Sequence, residues 1–207
     1  MTGNSTQKYF RAICDELASK DGDLKHIIKT HGYPRSWSRP NNYESLVHLI
    51  LEQQVSLASA MAALNKLRDK ISPITPDNVL ALTDEELKAC YFSRQKMVYA
   101  RNVAEAIQDK KIDLKAMENL PDEEVRAELT TLKGIGNWTV DIYLMSVLQR
   151  RDIFPMGDLA AVNALKEIKN LPKDTSQEKL LSIAARWKPH RTVATRILWH
   201  HYLCSRK

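Results

Sequence analysis

Residues 132–160, LKGIGNWTVDIYLMSVLQRRDIFPMGDLA, decide how this chain is read. Gly134 and Gly136 stand two apart, Trp138 follows, and an amphipathic run leads to a lone carboxylate, Asp158, behind Pro155 and Gly157. Upstream, Pro121 and the acids Asp122, Glu123 and Glu124 suit a first helical turn, because acids favour the positive end of a helix dipole. The segment predicts a helix over about 122–131, a glycine turn at 131–139 and a second helix from near Asn137. Gly134 and Gly136 can take backbone conformations that other residues resist, and they let the backbone approach a ligand closely. The N–H groups of such a turn, with those opening the next helix, form an anion site that fits a nucleic acid phosphate without reading its base. Lys133 adds charge there, and Thr139 can add a hydroxyl. The plainer alternative is an ordinary tight connection between two helices.

Working outward, helical spacing dominates and no strand alternation is found. Phe10, Ile13, Cys14 and Leu17 make one stripe, and Leu24, Ile27 and Ile28 a shorter one stopped by Gly32 and Pro34. Residues 33–42, YPRSWSRPNN, read as an irregular connector, after which Tyr43, Leu46, Val47, Ile50, Leu51 and Val55 open a long helix. Thr83 with Glu86, and Thr175 with Glu178, read as capping boxes, and Pro189 can start a last helix reaching about Leu203. About ten helices with short connections give an all-α class without repeats. The 207 residues, 43% of them hydrophobic, suffice for one sizeable core or two lobes sharing a cleft.

The formal net charge of +6 favours acidic partners, nucleic acid first among them. After Glu178 no acid occurs, while Lys179, Arg186, Lys188, Arg191, Arg196, Arg206 and Lys207 do. That one-signed tail reads either as a phosphate-facing surface or as a solvated helix face. Cys14, Cys90 and Cys204 lie far apart and form no CxxC pair, which argues against a zinc or iron–sulfur centre and suits reduced thiols in an intracellular protein, nuclear or bacterial cytoplasmic. No signal peptide or long apolar run points to export or a membrane.

Asp158 sits at a helix start, since Leu159, Val162, Leu165 and Ile168 follow with helical spacing. An Asp there ordinarily caps the helix. Set beside a DNA backbone bound at the glycine turn, the same carboxylate would stabilise positive charge developing on a sugar, which is what breaking an N-glycosidic bond requires. Two further blocks lie in the same order along the chain: SLVHLILEQQVSLASA (Ser45–Ala60) before the turn and RWKPHRTVATRILW (Arg186–Trp199) after Asp158. With these three blocks the chain, from about Tyr33 to Tyr202, resembles the helix–hairpin–helix GPD superfamily of DNA glycosylases. It is most similar to the 3-methyladenine DNA glycosylase II (AlkA) type.

That resemblance implies a two-lobed helical fold, one lobe near 42–150 and the other combining 1–41 with 151–207, with damaged double-stranded DNA across the cleft. It implies a monomer without redox or metal cofactor, although hairpins of this superfamily often hold a monovalent cation on backbone carbonyls. Asp158 falls at the catalytic position, where it would stabilise the sugar cation and help water attack. Lys133, Gly134, Ile135, Gly136 and Thr139 fall in the DNA-anchoring hairpin. Gln53 and Gln54 fall in the turn that fills the gap left by the flipped base, with Gln54 as the wedge; the alternative is that both satisfy backbone groups at a helix end. Trp138, Trp199 and Trp37 are the base-pocket candidates, whereas Trp187 reads as core. Electron-rich rings there suit the positive charge of an alkylated purine.

Superfamily members that also cut the backbone carry a Lys where this chain has Trp138, which implies the monofunctional branch. Three departures stand out: no α/β domain precedes Tyr33, Ile142 replaces a second pocket aromatic, and the stretch from Ile168 to Lys179 is longer. The implied reaction is hydrolytic release of an alkylated purine such as 3-methyladenine. The alternatives are a glycosylase for deaminated or mismatched bases, and a DNA-binding protein that keeps the hairpin without the chemistry.

Overall fold

A computed structural model describes residues 3–206. Among them are twelve α-helices, one short 3-10 turn at Ala116–Glu118 and no strand, so the class is all-α. The chain divides into two compact units, Arg39–Leu148 and Met1–Ser38 with Gln149–Lys207.

The central unit holds α3 (Tyr43–Glu52), α4 (Leu57–Lys70), α5 (Pro76–Leu80), α6 (Asp84–Ala89), α7 (Arg94–Gln108), α8 (Asp122–Leu129) and α9 (Asn137–Ser146). α3 packs against α4, α7 and α9, which explains why Leu46, Val47, Leu49, Ile50 and Leu51 are all buried round its circumference. α9 is buried from Thr139 to Ser146. The run after Trp138 is therefore buried on every side rather than on one face, because this helix passes through the interior, its few polar side chains included. The Thr83–Glu86 capping box forms. The short α5 and α6 raise the helix count above the ten expected.

The other unit holds α1 (Gly3–Lys20), α2 (Gly22–His31), α10 (Leu159–Ile168), α11 (Gln177–Ala185) and α12 (Arg191–Cys204). The Phe10, Ile13, Cys14 and Leu17 stripe lies in its core with Leu24, Leu165 and Ile197. Gly32 ends α2 at φ +80°, as its position predicts. Two helix starts shift. Ser176, not Thr175, caps α11 by accepting from the Lys179 N–H, while the Thr175 hydroxyl donates to the Pro172 carbonyl. α12 begins at Arg191 rather than Pro189.

One polar knot joins the two ends of this unit. Asp21 caps α2 through the N–H groups of Asp23 and Leu24, and also accepts from Lys169 Nζ at 2.7 and 2.8 Å and Trp187 Nε1 at 2.9 Å. Trp187 is thus a core residue, 1% exposed. Burial by itself would raise the Asp21 carboxyl, but the Lys169 ammonium and the indole N–H outweigh it and hold the group below the usual carboxylate range. Its contribution is fully present above the ordinary Asp value and is lost as pH falls through the lowered one. Lys169→Met strands a buried carboxylate, so urea unfolding at pH 7 should show a loss of about 3 kcal/mol. The variant should also lose less stability than the wild type on acidification.

Candidate functional site

The hairpin between α8 and α9 closes through the Ile135 N–H, which donates to the Leu132 carbonyl at 3.0 Å. Gly134 is required there twice over. Its φ is +98°, and a Cβ built on it would fall into the Tyr99 ring on α7. Gly136 differs. It caps α9 with φ −100°, and a Cβ there would meet nothing within 4 Å. The expected special conformation therefore holds for Gly134 alone; Gly136 contributes open surface at the first N–H groups of α9. Lys133 is exposed, and Ile135 turns into the core, 4% exposed. Arg126 on α8 ties down the start of α9 through Asp141 at 2.6 Å and Asn137 at 3.1 Å.

Gln53 and Thr139 take a part that the sequence did not disclose. Gln53 Nε2 donates to the Gly134 carbonyl at 2.8 Å and to Thr139 Oγ1 at 3.0 Å. Thr139 is only 2% exposed, so its hydroxyl does not face a phosphate; burial beneath the hairpin directs it to Gln53. Gln53 acts on the same turn from behind. Gln54 is the outward one, exposed at the bend between α3 and α4 with φ +57°, a left-handed conformation unfavourable for a residue with a side chain.

In the other unit, Asp158 caps α10 and does more. Its Oδ1 accepts from the Ala161 N–H at 2.8 Å and from Trp199 Nε1 at 2.9 Å. Trp199 stacks with Trp37, the ring centroids 6.3 Å apart and the planes 25° from parallel. Asp158, Trp199 and Trp37, far apart in sequence, are thus brought together. Trp138, the third aromatic candidate, belongs to the central unit, half-buried at the second residue of α9.

Arg196 is the residue that sequence reasoning misplaced. Its charge groups it with the basic tail, yet it is 5% exposed, its guanidinium carbon 5.3 Å from the Trp37 ring centroid and 5.8 Å from that of Phe10. Burial lowers its pKa to about 10 and pushes the nearby Cys14 thiol up to about 12. The available signal was its spacing three residues before Trp199, which puts both on one face of α12. The tail offers less free charge than its composition suggests, since Arg191 pairs with Asp152 and Arg206 with Glu167, while Lys207 lies outside the described residues.

The model of the HhH-GPD superfamily base excision DNA repair proteins matches residues 47–190. DNA-3-methyladenine glycosylase 1 of Schizosaccharomyces pombe is 31% identical over 88% of this chain and 83% of its own length. The alkylbase DNA glycosidase-like protein mag2 of the same organism is 30% identical over 88% of this chain and 89% of its own. Among solved structures, the Schizosaccharomyces pombe 3-methyladenine DNA glycosylase Mag1 in complex with abasic DNA superimposes with a TM-score of 0.83 at 29% identity, covering 91% of this chain and 95% of that one.

The two hairpin glycines should separate on substitution. Gly134→Ala should cost about 3 kcal/mol in urea unfolding, through its strained φ and the clash with Tyr99. Gly136→Asp should leave stability unchanged or a few tenths of a kcal/mol higher, because Asp caps helices well. It should nevertheless weaken binding to undamaged duplex DNA by about tenfold in an anisotropy titration, since it sets a carboxylate against phosphate.

Proposed function

The chain belongs to the HhH-GPD superfamily of base excision DNA repair proteins, and from that premise we propose that it is a monofunctional DNA glycosylase that hydrolyses the N-glycosidic bond of alkylated purines such as 3-methyladenine. The observation that carries this reading is the Asp158 carboxylate, fixed by the α10 N–H and the Trp199 indole N–H at the edge of a stacked pair of tryptophans. The names of the similar Schizosaccharomyces pombe proteins agree with it.

In this reading the hairpin takes the DNA backbone on the amides of Gly136 and Asn137 at the start of α9, helped by Lys133. Gln54 enters the stack as the damaged nucleotide leaves it. The extruded base lies against Trp199 and Trp37. Asp158 then lies beside the sugar. As the bond to the base lengthens, positive charge grows on the sugar, and the carboxylate stabilises it while water adds at the anomeric carbon. An alkylated purine is already a good leaving group, which lowers the demand for a general acid. Trp138 has no amine to form a Schiff base, so the product is an intact strand with an abasic site.

A monovalent cation at the hairpin also belongs to the proposal. Among the described residues no three His, Cys, Asp or Glu side chains converge to hold a metal, so the ligands would be turn carbonyls. The carbonyls of Leu132 and Gly134 each accept one hydrogen bond, and a carbonyl oxygen has a second lone pair. Such an ion would brace the turn and take no part in bond breaking.

Asp158→Asn tests the chemistry. Asn caps helices as well as Asp does and its Oδ1 can still accept from Trp199, so the fold and DNA binding should survive. Release of 3-methyladenine and 7-methylguanine from methylated duplex should fall by roughly 100-fold or more, without strand cleavage before alkali in either protein. Retained release would remove Asp158 from its role, and wild-type strand cleavage would remove the monofunctional assignment. Gln54→Ala should slow release from duplex by roughly tenfold while sparing a single-stranded substrate, because the wedge acts only on a stack. Equal slowing of both would argue against a wedge.

A further inference from the structure

The turn that carries Gln54 joins α3 to α4, and little apolar packing holds it. Val55 and Leu57 are exposed, and a cavity of about 380 Å³ opens beside the turn, lined by Val55, Ser59, Ala60, Tyr91 and Lys96 among others. Gln54 itself takes φ +57°, which a residue with a side chain adopts only where its surroundings impose it. Polar contacts therefore hold the turn. On its far side Ser56 caps α4, its hydroxyl accepting from the Ser59 N–H at 3.1 Å. On its near side α3 stops at Glu52, because Gln53 is extended with ψ 122°. The carbonyls of a last helical turn then lack partners within their own helix. The Leu51 carbonyl takes one from another element: Lys96 Nζ on α7 donates to it at 2.7 Å.

Lys96 is half-buried, and burial lowers its pKa. Its partner is a carbonyl at the negative end of a helix dipole, where a cation is attracted. A lysine serving DNA phosphate would instead keep its ammonium in water. Three residues on, along the same face of α7, the Tyr99 ring lies against Gly134. One helix thus backs both the turn and the hairpin. We propose that Lys96 is a positioning residue for base flipping, whose ammonium on the Leu51 carbonyl holds the α3–α4 turn in the form that presents Gln54 outward. The proposal rests on the reading of Gln54 as the wedge. A side chain that enters a base stack is most effective when its backbone is fixed beforehand, since less ordering is then left for the moment of insertion.

The test is single-turnover release of 7-methylguanine from methylated duplex and from the methylated single strand. It compares the wild type, Lys96→Met, Lys96→Arg, Gln54→Ala and the double variant Lys96→Met/Gln54→Ala. Lys96→Met keeps the apolar stem and removes the donor. It should slow release from duplex by roughly fivefold, less than Gln54→Ala does, and spare the single strand. Lys96→Arg keeps a cationic donor, has the adjoining cavity to extend into, and should restore most of the rate. In the Gln54→Ala background Lys96→Met should add no further loss, because it acts through Gln54. Binding of Lys96→Met to undamaged duplex should be unchanged, with the same salt dependence, because Lys96 neutralises no phosphate. Equal slowing on both substrates, or slowing that multiplies with that of Gln54→Ala, would overturn the proposal and leave Lys96 a structural residue. Weaker and less salt-dependent binding to undamaged duplex would overturn it too, as the mark of a phosphate contact. If Lys96→Met does not fold, Lys96→Gln, whose side chain ends one bond short of the lysine amine, takes its place with the same expectations. Selective slowing by Gln54→Ala without any by Lys96→Met would sink this proposal alone. A Gln54→Ala variant that slows both substrates alike would remove the wedge reading, and a wild type that releases no base would remove the glycosylase reading, each taking this proposal with it.

Discussion

A single oxygen, Oδ1 of Asp158, accepts both the Ala161 amide at the start of α10 and the indole N–H of Trp199 on α12. These two helices pack closely against each other, and the oxygen fixes their register at one end. The same two bonds set the plane and direction of the carboxylate. The ordinary helix cap and the catalytic role proposed for Asp158 therefore call for the same arrangement. Capping supplies the rigidity that a charge-stabilising group needs, since a preorganised dipole loses nothing to reorientation when charge develops. Trp199, so oriented, then determines where Trp37 can stack.

The hairpin obeys the same logic with different chemistry. Its backbone is held from behind, by the Tyr99 ring against Gly134 and by the Gln53 amide on the Gly134 carbonyl. Ile135 is sunk into the core and Arg126 clamps the next helix to the previous one. What remains outward is Lys133, Gly136 and Asn137, all exposed. A surface offering amides to a phosphate binds best when those amides are fixed before the phosphate arrives. The buried groups Gln53 and Thr139 thus belong to the hairpin without being groups that meet a ligand.

The local features could be read directly from the chain. The glycine spacing located the turn, the acids after Pro121 located α8, and the apolar spacing after Asp158 located α10. Each of these is set by residues within a few positions of one another. What was not legible depends on depth or on distance along the chain. Gln53 meets Gly134 and Thr139 across 81 and 86 residues, and no local pattern encodes that pairing. The α9 run shows its apolar composition, yet only the packed unit shows that it is enclosed on every side. Ser176 displaced Thr175 as a cap because either hydroxyl can serve, and the choice follows where the chain enters the helix.

Arg196 shows the difference most plainly. Sequence registers its charge, and charge near a chain end suggests surface; the fold instead seats it between Phe10 and Trp37. An apolar side chain of similar length at such a site is often neutral or stabilising, so packing energy alone does not account for a buried guanidinium. The Cys14 thiol lies near it, and burial drives the pKa of that thiol to about 12. Meanwhile Asp158, one helix away, sits on the other tryptophan of the pair. Two indoles that are chemically identical are thereby made unlike, one facing a carboxylate and one facing a cation. The asymmetry of the pair resides in the neighbours of the rings rather than in the rings themselves.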